Sequence, residues 1–119
     1  RRFRAAGFPA EDVHVLGPAQ AHKNLVVRYR GAGRARPLLF LDHLDVVEAL
    51  KSDWTRDPFK LTEADGWLYG RGTQDIKGEA ALQVATFLHL RRAGPGDVAE
   101  ALVFQIFWAF RLDLSIAMP

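Results

Sequence analysis

The stretch LLFLDHLDVV, Leu38 to Val47, constrains the fold of this chain more than any other. Pro37 precedes it, and four apolar residues in succession are typical of a strand buried on both faces of an α/β sheet. Asp42, His43 and Asp45 follow directly. Buried strands exclude ionisable groups unless these are paired or bind a metal. The stretch therefore predicts either a polar turn after a buried strand or one part of a metal site.

Hydrophobic periodicity predicts strands and helices that alternate along the chain. Four apolar residues repeat at helical spacing and predict the inner face of a helix: Ala81, Leu82, Ala85 and Leu88. The predicted elements are a helix over 1–6, strands over 13–16, 24–30, 38–42 and 101–107, a hairpin turned at Asp65-Gly66, and a helix from Gly78 to Gly94. This order predicts an α/β fold with a mixed, mostly parallel sheet flanked by helices.

The composition limits the chemistry of the chain. The 119 residues fit one small domain, and no cysteine is present, so any metal must be bound by His, Asp or Glu. The net charge of +2 is small, and the arginines between 28 and 36 are typical of a solvated sheet edge, so we expect no nucleic-acid partner.

Neither a membrane span nor a compartment is predicted. The longest apolar run, Ala101 to Phe110, is about half the length of a membrane helix and indicates a buried strand, so we expect no membrane partner. The chain opens on Arg1-Arg2-Phe3-Arg4 without Met and without the apolar segment of a signal peptide. We expect Arg1 to be a cut point, which leaves the localisation unknown.

His43 and Asp45 form the first candidate site. Residues i and i+2 of a strand share a face, so Asp45 can accept the N–H of one ring nitrogen while the other nitrogen binds a metal. Two polar residues on a wet loop explain the same tripeptide, and the H-x-D pattern alone favours that simpler interpretation.

The second candidate site is GRGTQDIKG, Gly70 to Gly78. Asp75 stands where a dinucleotide fingerprint has its third glycine, and the glycine spacing before Lys77 is not that of a Walker loop. The glycines permit a tight turn that leaves Asp75 just ahead of a helix. Stabilisation by the helix dipole explains a carboxylate there equally well.

Together, the two clusters resemble the M20 metallopeptidases, a family of carboxypeptidases, aminoacylases and dipeptidases built around two zinc ions. The resemblance extends from about Gly7 to Phe104 and implies a zinc-exopeptidase-like fold in truncated form, with 1–104 as the N-terminal portion of a catalytic domain. It rests on four stretches in order: HLDVV at 43–47, DWTRDPF at 53–59, DGWLYGRGTQDIKG at 65–78, and the alanine-rich helix that follows.

The resemblance implies a role for each matching residue. His43 matches a histidine ligand of one zinc, and Asp45 matches the catalytic aspartate that orients that histidine. Asp75 matches the carboxylate that bridges both metals, and its peptide bond to Ile76 is expected to be cis. The loop over 70–72 is expected to shape the site without binding metal.

After the last predicted strand the chain departs from the family pattern. Family members carry a Glu-Glu pair there, the first residue being the general base and the second a zinc ligand. This chain has Ala109 and Phe110 at those places, with Asp113 beyond them. We therefore interpret 105–119 as a divergent tail, as a shifted reading frame or an incomplete gene model would produce. Loss of the general base is expected to lower the rate by about 10²–10⁴-fold.

Three functions follow from these features. The first is a fragment of a metal-dependent amide or peptide hydrolase that uses two zinc ions and an activated water on a peptide or N-acyl amino acid, and that is inactive as this chain alone. The second is a non-catalytic interaction module that keeps the fold, and the third, the weakest, is a nucleic-acid binder. Retention of a ligand pair favours the first. Oligomeric state is not predicted, and four aromatic residues are expected to pack rather than to contact substrate: Trp54, Phe59, Trp67 and Tyr69.

Overall fold

The computed structural model of the protein describes residues 1–19, 22–94 and 102–107, which form six strands and two α-helices. The strands are β1 (Val13–Ala19), β2 (His22–Tyr29), β3 (Leu38–His43), β4 (Thr62–Ala64), β5 (Trp67–Tyr69) and β6 (Leu102–Phe107). The α-helices are α1 (Arg2–Ala5) and α2 (Gly78–Ala93), with short 3₁₀ turns at Ala10–Asp12 and Lys51–Asp53 and a wide π-type turn at Thr73–Lys77.

Four of the described strands form one mixed sheet in the order β1-β2-β6-β3. β1 pairs with β2 and β2 with β6 in antiparallel fashion, whereas β3 and β6 are parallel. The α/β class and the mixed sheet are confirmed, but a mostly parallel sheet is wrong for the described strands. The reason is that β1 and β2 are consecutive antiparallel neighbours and β2 runs against β6, which leaves one parallel pairing.

The hydrophobic core lies between the sheet and the two α-helices. Phe40 of β3 meets Phe87 of α2 edge to face, with ring centroids 6.1 Å apart. Gly7 ends the first helical segment as predicted, with a φ of +84° that glycine adopts without strain. The buried core cluster comprises Phe3, Phe8, Val13, Val27, Tyr29 and Phe87.

The inner face of α2 differs from the predicted one. Ala80 and Phe87 are the buried hydrophobic residues of the helix, whereas Leu82 is 67% exposed. Of the four residues predicted to face inward, Leu88 alone is partly buried against the core. Alanine and leucine occur on several sides of this helix, so the hydrophobic pattern did not fix its rotation.

β3 is covered on one face rather than two. Phe40 packs toward α2, but Leu41, on the alternate face, is 42% exposed. The prediction of a strand buried on both faces is therefore wrong for the described structure, because no described helix covers the second face.

The predicted hairpin is confirmed as β4 and β5, which form a separate two-stranded sheet. Asp65 and Gly66 form its two-residue turn, with φ values of +52° and +77°. A type I′ turn requires positive φ at both central residues, which explains this dipeptide. Across the described residues, no helix combines the length and apolar character that a bilayer crossing requires.

Candidate metal centre

His43 is the last residue of β3, and both of its ring nitrogens have oxygen partners. Nδ1 lies 3.0 Å from the backbone oxygen of Asp45 and 3.6 Å from its carboxylate Oδ1. Because a carbonyl oxygen can only accept, Nδ1 carries the hydrogen in this contact. Asp45 lies in the loop beyond β3, so the predicted strand spacing is wrong, yet the residue still meets the ring through its carbonyl.

Asp75 comes to His43 from a turn 32 residues further along the chain. Its Oδ1 lies 3.2 Å from His43 Nε2, and its side chain is 87% exposed. The Asp75-Ile76 peptide is cis, as the resemblance implied. The turn depends on Gly72, whose φ is +88° and where a Cβ would lie 2.8 Å from Val46 Cγ1.

The distance between the two donor atoms tests whether they fit a metal. With Nδ1 protonated, Nε2 offers its lone pair toward a carboxylate oxygen, and two such acceptors repel unless a proton or a cation lies between them. Two ligands of one tetrahedral zinc, at the usual bond lengths, lie roughly 3.3 Å apart. The observed 3.2 Å and the imidazole–carboxylate pairing both fit.

The fit covers only part of a metal site. Within the part of the chain that the structure describes, no cluster of three or more His, Cys, Asp or Glu side chains could hold a metal ion. Catalytic zinc usually has three protein ligands and a water. We call the pair His43 and Asp75 the half-site, because it offers two donor atoms of suitable type from two separated segments.

The half-site opens into a cavity of about 540 Å³, which is large enough for a small ligand. Trp54 and Tyr69 line it, although both were predicted to pack. The expectation of packing is wrong for Phe59 and Trp67, which are 64% and 69% exposed, whereas Trp54 is partly buried against Arg71. The hairpin pairs only with itself among the described strands, so its aromatic side chains have no sheet to pack against.

Arg71, predicted only as part of the loop over 70–72 that shapes the site, lines the cavity. Its guanidinium lies over the Trp54 ring at 5.1 Å, and its Nη2 donates to the Glu48 oxygen at 3.5 Å. Nε is buried without an acceptor among the described residues. The aromatic of DWTRDPF and the arginine of GRG occur in neighbouring motifs, which is the signal that could have paired them.

Asp42 belongs to the packed face of β3 rather than to the half-site. It is 2% exposed, its Oδ1 accepts from Gln83 Nε2 at 3.4 Å, and its Oδ2 has no described partner. Burial raises the pKa of Asp42, nearby Glu79 raises it further, and His43 opposes the shift. Alternation along β3 places Asp42 with Phe40, which is how the sequence could have revealed its burial.

Part of the tail prediction lies outside the described residues. The positions 109, 110 and 113 are not among the described residues. The predicted relation of Ala109, Phe110 and Asp113 to the Glu-Glu pair therefore stays a prediction. β6 continues past the proposed boundary at 104 and pairs to its last residue, Phe107, which is opposite His43. The boundary itself also stays a prediction.

Comparison with known proteins places this arrangement in a family. The sequence model of Peptidase family M20/M25/M40 matches residues 39–106. Among solved structures, human carnosine dipeptidase 1 is 25% identical with a TM-score of 0.66, over 89% of this chain. The dipeptidase Dug1p from Saccharomyces cerevisiae is 22% identical with a TM-score of 0.64, over 90% of this chain, and supports the fold alone. In each case the chain spans 24% of the other protein's length.

The fold and the match together define a class, that of α/β domains from peptidases. The family match covers more than half of the chain. The chain belongs to peptidase family M20/M25/M40.

Proposed function

We propose that this chain is the N-terminal portion of a zinc-dependent amide or peptide hydrolase, and that it carries half of the metal centre and one wall of the substrate cleft. The observation that supports this most is the contact between His43 Nε2 and Asp75 Oδ1 at 3.2 Å. Two donors 32 residues apart meet at the mouth of a large cavity, which a wet polar loop does not require.

His43 and Asp75 would hold the metal, with Asp75 shared between two ions in the complete centre. A metal bound there polarises the amide carbonyl and lowers the pKa of a bound water. The Asp45 carbonyl holds the Nδ1 hydrogen, which keeps the ring orientation and directs the Nε2 lone pair at the metal position. The Asp45 carboxylate, 3.6 Å from the same nitrogen, adds negative potential that strengthens this donor.

The cavity walls suggest how a substrate is positioned. Trp54 and Tyr69 offer flat apolar surfaces, and Arg71 adds a positive charge beside them. A peptide or N-acyl amino acid combines an apolar or planar group with a carboxylate, which suits this lining. The similarity to human carnosine dipeptidase 1, a dipeptidase by name, supports the same substrate class.

We further propose that the chain alone does not turn over substrate. Ala109 and Phe110 cannot accept a proton or bind zinc, and they replace the expected Glu-Glu pair. Two protein donors also fall short of a catalytic zinc site.

Calorimetric titration of zinc into the metal-free chain tests this proposal. We expect weak binding that His43→Ala and Asp75→Asn each reduce at least tenfold, while His89→Ala, at an exposed histidine of α2, leaves it unchanged. Equal binding by all four proteins would refute the half-site. Binding without hydrolysis of a dipeptide supports the inactive fragment, and measurable hydrolysis abolished by Asp75→Asn would refute inactivity.

A further inference from the structure

A second, smaller cavity lies at the opposite end of the sheet from the half-site. Its volume is about 100 Å³, and it shares no lining residue with the larger cavity. The cavity adjoins Tyr29, the last residue of β2. Tyr29 pairs with Leu102 of β6, and Leu102 pairs in turn with Leu38, the first residue of β3. Five residue steps along β3 separate that end from His43, a distance of roughly 16 Å.

Three arginines from two elements converge on this cavity. Arg28 and Arg30 come from β2 and the residue after it, two positions apart, and Arg91 comes from the last turn of α2. The single acidic residue in the wall is Asp12. Arg30 is paired with Asp12, so the excess positive charge available to an anion is that of Arg91 beside this pair.

The contacts of Arg30 and Arg91 leave donors for a further group. Arg30 donates through Nε to both carboxylate oxygens of the buried Asp12, at 3.0 Å and 2.9 Å. That contact fixes the guanidinium plane and leaves both terminal nitrogens without a partner among the described residues. Arg91 donates through Nη2 to the Gly7 oxygen and lies over the Phe8 ring, which holds its side chain against the cavity.

We propose that this cavity, named here the arginine cavity, binds a tetrahedral oxyanion of phosphate size. Guanidinium groups bind such anions through paired, charge-assisted hydrogen bonds. A volume of about 100 Å³ corresponds to roughly three water molecules in the liquid. A cavity of this size has room for one phosphate group, so the ligand we assign is free phosphate or the terminal group of a phosphate monoester.

Placement of the arginine cavity suggests a structural consequence of binding. An anion held there joins β2, the turn that carries Asp12, and the end of α2. Because anion binding favours the folded state, it stabilises the packing of α2 on the sheet. No catalytic role follows, since the half-site lies at the other end of β3.

Amide chemical-shift mapping by NMR tests the proposal on the metal-free chain. Sodium phosphate is titrated at constant ionic strength, with sodium chloride as reference and glycerol 3-phosphate in a parallel arm. We expect saturable shifts at Phe8, Tyr29 and Arg91 and none at Asp75. Saturation by phosphate alone identifies the free anion, and saturation by both identifies the terminal group of a monoester.

Matched arginine variants distinguish the cavity from general charge attraction. Arg91→Gln is expected to weaken phosphate binding about tenfold. Arg92→Gln removes the same charge from the neighbouring residue of α2, which does not line the cavity, and should change binding less than twofold. Equal weakening by both variants, or shifts that do not saturate, would overturn the proposal. If Arg91→Gln does not fold, the proposal is tested by the wild-type titration alone. Phosphate-induced shifts at residues outside the arginine cavity would then refute it.

Discussion

Replacement of Asp42 by Asn is expected to stabilise the protein at neutral pH. The carboxylate is 2% exposed, and one of its oxygens has no donor among the described residues. The other oxygen accepts from Gln83 Nε2 at 3.4 Å, a contact that the oxygen of an Asn amide can keep. The Asn also replaces the unpartnered oxygen by an NH₂ group, while Gln83 Oε1 is itself buried without a donor.

The magnitude follows from the unsatisfied oxygen. A buried polar atom without a partner costs about 1–3 kcal/mol, and more when it is charged. We therefore expect Asp42→Asn to raise the free energy of unfolding by about 1–3 kcal/mol at pH 7. With a typical urea dependence for a small protein, the midpoint of unfolding rises by roughly 1 M.

The raised pKa of Asp42 determines how the stability difference between the two proteins changes with pH. Burial raises the pKa of Asp42 above the ordinary 3.8, so the folded state retains the proton to higher pH than the unfolded chain does. Relative to the acidic limit, the wild-type protein loses stability as the pH rises from 3.8 through the raised pKa, and then stays constant. The advantage of Asn is therefore full at pH 7 and disappears below about pH 3.8.

Urea denaturation of the metal-free protein at several pH values measures this difference. Asp53→Asn is the matched control, because Asp53 is exposed and accepts only from Ser52. A variant at Asp42 that is less stable than the wild type at pH 7, or whose advantage persists unchanged at pH 3, would refute the reasoning.

Two further substitutions test the packing. Phe87→Ala, at a side chain only 2% exposed, should lower the free energy of unfolding by about 3–5 kcal/mol. Leu82→Ala, on the exposed side of the same helix, should change it by less than about 0.5 kcal/mol. Comparable losses of stability in urea denaturation would contradict the observed rotation of α2. Gly72→Ala should cost more than Gly66→Ala, because both glycines have positive φ but only the first would place its Cβ against Val46; the strain common to both is about 1–3 kcal/mol. Equal losses would show that the close approach to Val46 relaxes freely.

The half-site could be predicted from the sequence because its motifs are local. His43 lies two residues after the apolar run that ends at Leu41, and the glycines around Asp75 indicate a tight turn. The contact between the two residues spans 32 positions, and only the resemblance connected them. The order of elements was equally accessible, since turn residues such as Asp65-Gly66 mark it.

Long-range packing could not be predicted from local sequence patterns in the same way. The rotation of α2 depends on which face meets Phe40, and alanine at several positions leaves that choice open. The pairing of β6 between β2 and β3 sets the strand directions, and no local pattern encodes it. The exposure of Phe59 and Trp67 likewise depends on where the hairpin lies, which is a property of the tertiary structure.

Folding and ligand contact are encoded in different stretches of this chain. The segment over 45–74 connects the end of β3 at His43 with Asp75. It contains the hairpin and most of the residues that line the large cavity. None of the buried core cluster lies within it. Its exposed aromatic residues can therefore change between relatives without loss of core packing, provided that Asp45 and Gly72, which hold His43 and the turn of Asp75, are kept. The lining of the large cavity can vary more freely than the sheet and α2.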